Sequence, residues 1–155
     1  MTEKALKPLL VVEDNLGLQK QLKWAFEGYE VYIAGDRASA IELLGEHQPR
    51  VVTLDLGLPP DPANATEGLQ ALSEILRLFP HTKVIVVTGN DDRDNALKAI
   101  SLGAYDFYQK PVDPDILALI VDRASQLSEL EEENRRLLEQ TAGAPLNGIV
   151  GSSEK

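Results

Sequence analysis

Four short apolar runs in this chain finish on polar residues: Val-Val-Glu-Asp, Thr-Leu-Asp-Leu, Val-Val-Thr-Gly and Tyr-Gln-Lys-Pro. Runs of this length and composition build strands buried on both faces of a parallel sheet. Open parallel sheets place their ligand sites just outside the carboxyl ends of the strands. Glu13, Asp14, Asp55, Thr88 and Lys110 therefore converge on one crevice. Three acids, a hydroxyl and an ammonium suit a divalent cation and a phosphoryl group.

The segments between these runs have helical length and period. Leu9 to Glu13 reads as a strand and Leu16 to Glu27 as a helix, with Leu18, Leu22, Ala25 and Phe26 on one face. Gly28 ends that helix. Glu30 to Ala34 is a second strand, Ala38 to Glu46 a helix stopped near Pro49, and Val51 to Leu54 a third strand. Gly57 to Glu67 is irregular, holding Pro59, Pro60 and Pro62. A helix from Gly68 to Phe79, a strand from Lys83 to Val87 and a helix from Asp92 to Leu102 follow. Tyr105 to Tyr108 is the fifth strand, and a last helix runs from Asp113 to about Gln140. This alternation predicts right-handed crossovers and a doubly wound α/β fold.

At 155 residues the chain fits one domain with an appendage. Its formal charge of −10 argues against sequence-independent nucleic-acid binding, which needs a cationic surface. The absence of cysteine excludes disulfides, thiolate zinc sites and cysteine nucleophiles. No signal-peptide core and no stretch of bilayer length is present, so the expectation is a cytoplasmic protein without membrane contact.

Each site residue has an ordinary reading beside the functional one. Glu-Asp-Asn at a strand end is commonly a turn and a helix cap. In the functional reading Asp14 and Asp55 bind a hard cation directly and Glu13 acts through a water. Asp55, between an apolar strand and a proline-rich loop, is either a turn former or a carboxylate nucleophile. Thr88 before Gly89 is a turn residue or a donor to a phosphoryl oxygen. Lys110 before Pro111 is a surface lysine or a point charge for another such oxygen. The five together favour the site.

Over Lys7 to Leu127 the chain resembles the receiver domain of bacterial two-component response regulators. The resemblance rests on Glu13-Asp14, on Asp55 followed four residues later by Pro59, on Thr88-Gly89, and on Gly-Ala-Tyr-Asp-Phe-Tyr-Gln-Lys-Pro at 103–111. It implies five strands in the flavodoxin-like order 2-1-3-4-5, and phosphorylation of Asp55 by a sensor histidine kinase. It further implies Mg2+ held by Asp14, Asp55 and the Gly57 backbone carbonyl, with Glu13 acting through water, and a cis Lys110–Pro111 peptide. Phe107 matches the family's aromatic switch position, working with Thr88, and is also a partly core aromatic. The chain would catalyse only its own phosphorylation and dephosphorylation. One departure is clear. The family's glycine about eight residues after the phosphoacceptor corresponds here to Gly68, thirteen residues on, so Pro60 to Glu67 carries about five extra residues.

The divisions expected are a receiver over 1–124, a helical linker over 125–141 and a tail over 142–155. Gly148-Ile149-Val150-Gly151-Ser152-Ser153 resembles the opening of the ATPase domain of sigma-54-dependent activators, among which the chain is most similar to regulators associated with PEP-CTERM and exosortase systems. No phosphate-binding Gly-x-x-x-x-Gly-Lys-[Ser/Thr] loop occurs. In the last helix Ile116, Leu130 and Leu137 fall at d, where Arg123 interrupts the series, and Ile120, Leu127 and Asn134 fall at a. That seam predicts a homodimer, with Asn134 setting register and Glu131–Arg135 and Glu132–Arg136 as supporting i,i+4 pairs. The alternatives are a solitary linker helix and a degenerate receiver that binds partners without phosphate. A haloacid-dehalogenase-type phosphatase would need a second acid where Gly57 stands, and a dinucleotide-binding loop would need glycines where Glu-Asp-Asn-Leu-Gly stands.

Overall fold

The computed structural model describes residues 6–58, 65–89 and 92–143. Pro59, Pro60 and Pro62, most of the enlarged loop, and the segment with Gly148 to Ser153 lie outside the described residues. The strands are β1 (Lys7–Val12), β2 (Tyr29–Ala34), β3 (Val51–Asp55), β4 (Lys83–Thr88) and β5 (Asp106–Gln109). Between and after them stand α1 (Leu16–Lys23), α2 (Arg37–His47), α3 (Thr66–Leu78), α4 (Arg93–Ser101) and α5 (Pro114–Gly143).

All four strand pairings are parallel, and the order is β2-β1-β3-β4-β5, as expected. Strand side chains alternate between the two faces. Leu10, Val12, Val52, Leu54, Val84 and Val86 therefore point to one side, under Ala40 and Leu44 of α2 and Ala71, Leu72 and Ile75 of α3. Leu9, Val11, Val31, Val51 and Ile85 point to the other, against Leu22 of α1 and Leu117, Val121 and Ala124 of α5. Helices cover both faces, so the central strand β3 is buried at every residue, its terminal acid included.

Some element ends differ from the sequence reading. The α1 helix stops at Lys23 rather than Glu27: Trp24 leaves helical geometry at φ −111° and ψ 7°, and Gly28 takes φ +88° in the turn to β2. Phe26 is still buried, so its apolar signal was a core signal and not a helical one. The α3 helix begins at Thr66, two residues before Gly68. The last helix is continuous, as expected: α5 has 30 residues, is about 45 Å long and runs through residue 124, with Ser125 and Ser128 also buried.

Candidate functional site

The crevice assembles where β1, β3, β4 and β5 end. In the Glu-Asp-Asn turn the two readings divide between neighbours. Asn15 is the helix cap, its side chain accepting from the Leu18 N–H at 2.9 Å. Glu13 and Asp14 face the site instead: with Asp55 they bring carboxylate oxygens within 4.8 Å of one another. Glu13 is buried, its N–H donating to the Ala34 carbonyl and one carboxylate oxygen accepting from Asn15 N–H at 3.0 Å. The Gln19 side chain donates to the Glu13 carbonyl. Gln19 was not singled out from the sequence; its only signal is that it stands one helical turn after the cap.

Asp55 is 4 % exposed and held from two sides. One carboxylate oxygen, Oδ1, accepts from the Gly57 N–H at 2.9 Å, and Oδ2 accepts from Lys110 Nζ at 3.0 Å. Lys110 arrives because its own N–H bonds the Thr88 carbonyl at 2.8 Å, and the following bond to Pro111 is cis. Gly57 thus lies against Asp55 through its N–H.

The electrostatics are lopsided. Burial first, then the Asp55 charge, pushes the Glu13 carboxyl from an ordinary 4.5 up to about 7. Burial alone would lower Lys110; the charge and hydrogen bond of Asp55, with Glu13 and Asp14 behind, outweigh it and raise its pKa. One ammonium cannot balance three acids within a few ångströms. A hard divalent cation would supply the missing positive charge, and an oxygen-only donor set suits it. The residues present therefore fit a metal.

Thr88 is 1 % exposed, and its Oγ1 is, among the described residues, the one buried side-chain polar atom without a hydrogen-bond partner. Such a hydroxyl costs about 1–3 kcal/mol, which makes it a functional signal rather than a packing choice. Phe107, expected to be partly core, is 37 % exposed: it stands on the edge strand β5 beside Val86 and belongs to neither core cluster.

Gly68 lies in the first turn of α3. A Cβ there would stand 2.3 Å from both the Cα and the carbonyl oxygen of Leu56, the residue after Asp55. The helix therefore touches the backbone that carries the acid, and only glycine permits that approach. Arg37 of α2 ties that helix in place through Glu67 at 2.7 Å and, two turns on, Glu74 at 3.0 Å.

Residues 9–122 match the response regulator receiver domain. The chain is 33 % identical over 135 residues to the regulatory protein AtoC of Escherichia coli, covering 86 % of this chain and 28 % of that protein. It is also 33 % identical over 135 residues to the nitrogen assimilation regulatory protein NtrX of Azorhizobium caulinodans, covering 86 % and 29 % of the two chains. It thus spans under a third of the length of these relatives. The crystal structure of NtrX from Brucella abortus in complex with ADP superposes with a TM-score of 0.78 at 32 % identity, over 86 % of this chain and 30 % of that one. A response regulator receiver domain protein from Clostridium thermocellum superposes at 0.73 with 29 % identity, over 81 % and 98 %. Among the described residues no helix is long and apolar enough to cross a membrane. A buried aspartate gripped by a lysine at the carboxyl edge of a 2-1-3-4-5 sheet, and a family match over most of the length, lead to one conclusion: the chain belongs to the response regulator receiver domain family.

Proposed function

We propose that Asp55 is the phosphoacceptor of a two-component switch, with a sensor histidine kinase as donor, and that its phosphorylation controls a transcription-activating domain in the full-length protein. The observation that carries this reading is the pairing of a buried, doubly held Asp55 with the partnerless Thr88 hydroxyl beside it.

A carboxylate oxygen of Asp55 attacks phosphorus, the new O–P bond forms, and the bond from phosphorus to the donor's nitrogen breaks; the nitrogen keeps the electron pair. Gly57 N–H and Lys110 already orient the carboxylate, which removes the entropy of aligning it. Lys110 is then free to neutralise a phosphoryl oxygen, and the Thr88 hydroxyl gains the acceptor that it lacks. Asp14, Asp55 and the Gly57 carbonyl are the residues that would hold Mg2+, with Glu13 acting through water. When bound, the ion supplies positive charge to the transferring phosphoryl group. Hydrolysis of the aspartyl phosphate resets the switch, and no other turnover is assigned to the chain.

Once Thr88 turns toward its new acceptor, the space it leaves admits the half-exposed Phe107, which changes the face formed by α4 and β5. The output passes along α5. Of the expected seam, Ile120 packs on the core of its own chain, whereas Ile116, Leu127, Leu130 and Leu137 are 47 %, 37 %, 68 % and 51 % exposed among the described residues. A two-fold dimer through this seam, with Asn134 inside it, would bury that surface.

The deciding experiment is intact mass after incubation with magnesium and acetyl phosphate. One phosphoryl adduct is expected, absent in Asp55→Asn and Asp55→Ala; an adduct that persists in Asp55→Ala overturns the assignment. Light scattering across a dilution series tests the seam, and a protein that stays monomeric at high micromolar concentration rejects the dimer.

A further inference from the structure

The opposite edge of the sheet carries a second set of polar contacts, all converging on α5. Tyr29, the first residue of β2, donates its hydroxyl to Asp122 at 2.9 Å. Lys7, the first of β1, pairs with Glu129 at 2.8 Å. Arg50, immediately before β3, pairs with Glu132. Lys83, the first of β4, pairs with Glu131 at 2.6 Å and is the least exposed of these cations. Four adjacent strands thus each present a donor at the amino end, and one helix supplies four acids.

The order of these contacts follows from helical geometry. At about 100° per residue, Asp122, Glu129, Glu132 and Glu131 fan around the helix in the same sequence as β2, β1, β3 and β4 across the sheet. A helix lying obliquely over the sheet meets each strand with the acid that points toward it. These tertiary pairs replace the expected i,i+4 pairs: Glu131 and Glu132 reach the sheet, and Arg136 pairs with Glu133. The last buried residue of α5 is Ser128, so beyond it the described helix is held by charge and hydrogen bonding rather than by apolar burial. The acids occupy one side of the helix. Leu127, Leu130 and Leu137 occupy another, and so remain available for pairing while the helix is docked.

We propose that the amino edge of the sheet is a docking site for the acidic segment of α5. The four contacts make that helix a rigid lever on the receiver and present its leucine seam at one rotational setting. This rests on reading α5 as the output element, yet its test is independent of phosphorylation and of dimerisation. A hinge after Ser128 would let the linker pivot and lose any change made at Phe107 or Asp55. Docking to Lys7, Arg50 and Lys83 removes that hinge, because movement of the sheet's edge moves the helix.

The absence of cysteine permits clean spin labelling at Lys20→Cys on α1 and Glu139→Cys near the end of α5. The intrachain distance distribution is measured by pulsed electron resonance in the 155-residue chain, diluted with unlabelled protein so that partner labels do not contribute. A single narrow distribution is expected. The combined Lys7→Ala, Arg50→Ala and Lys83→Ala variant should widen it roughly twofold or more, and about 1 M salt should widen the parent's, since exposed pairs are screened there. Should the triple variant fail to fold by circular dichroism, Glu129→Gln with Glu131→Gln and Glu132→Gln removes the same charge pairing from the exposed helix. An unchanged distribution in a folded variant lacking the three ion pairs overturns the lever, whatever light scattering says of the dimer.

Discussion

At the carboxyl edge of the sheet, β1, β3 and β4 deliver Glu13, Asp14, Asp55 and Thr88 into a crevice where, among the described residues, acids outnumber their one cation and a hydroxyl goes unbonded. At the amino edge the same strands begin beside Lys7, Arg50 and Lys83, each matched by an acid of α5. The strands are shared; the treatment of charge is not. Buried and unbalanced groups carry a large free-energy cost that a ligand can relieve, whereas exposed and matched groups contribute little net stability and instead set geometry. One edge is built to respond, the other to hold.

The contrast can be broken first at Gly68. Adding a methyl there gains up to about 1 kcal/mol of helix propensity but drives Cβ into the Leu56 backbone, where relief requires α3 or the Asp55 turn to move. Gly68→Ala is therefore expected to destabilise by about 3 kcal/mol in urea unfolding and to slow phosphoryl uptake. Wild-type stability in that variant would mean that the carboxyl edge is more yielding than the packing indicates.

A smaller effect comes from Glu13, whose proton is held up to about pH 7 in the folded chain against an ordinary 4.5. Because the folded pKa is raised, the stabilising contribution is present in full below about 4.5 and disappears as pH rises through about 7. In chelator, Glu13→Gln should match the parent near pH 4 and exceed it by about 1–2 kcal/mol near pH 8. Magnesium should narrow that gap, because the cation favours the ionised parent. A difference independent of pH would point to packing rather than charge.

Thr88→Val replaces the partnerless hydroxyl with a methyl of the same shape and should stabilise the resting domain by about 1 kcal/mol. Phosphorylation should then lose its effect on Phe107, read by comparing crystal structures with and without beryllofluoride. At the other edge, Lys7→Ala removes a half-exposed pair and should change stability by less than about 0.5 kcal/mol. A loss as large as that of Gly68→Ala would erase the distinction between the two edges.

The strand-ending motifs were legible from residue order because strand period and strand termini are local properties. Once the runs ending at Glu13, Asp55, Thr88 and Lys110 are parallel neighbours, the crevice follows from topology. Helix ends were less legible. Phe26 carries the same apolar signal in a turn as in a helix, and only the folded backbone, with α1 ending at Lys23 and Phe26 still in the core cluster, shows which it is. The direction in which Phe107 points was also hidden, since a four-residue edge strand gives too few alternations to assign its faces.

Sequence alone therefore determined the alternating α/β order, the strand that carries each polar group of the crevice and the extent of the last helix, all set by residues near one another in the chain. Tertiary structure decided the rest. It chose sheet partners for Glu131 and Glu132 where helical neighbours stood equally close in sequence, left Thr88 without a partner and brought Gly68 against Leu56. The physical reason is common to all of them: each depends on the rotation and height of one element over another, which is fixed by packing across the whole core and by no local pattern.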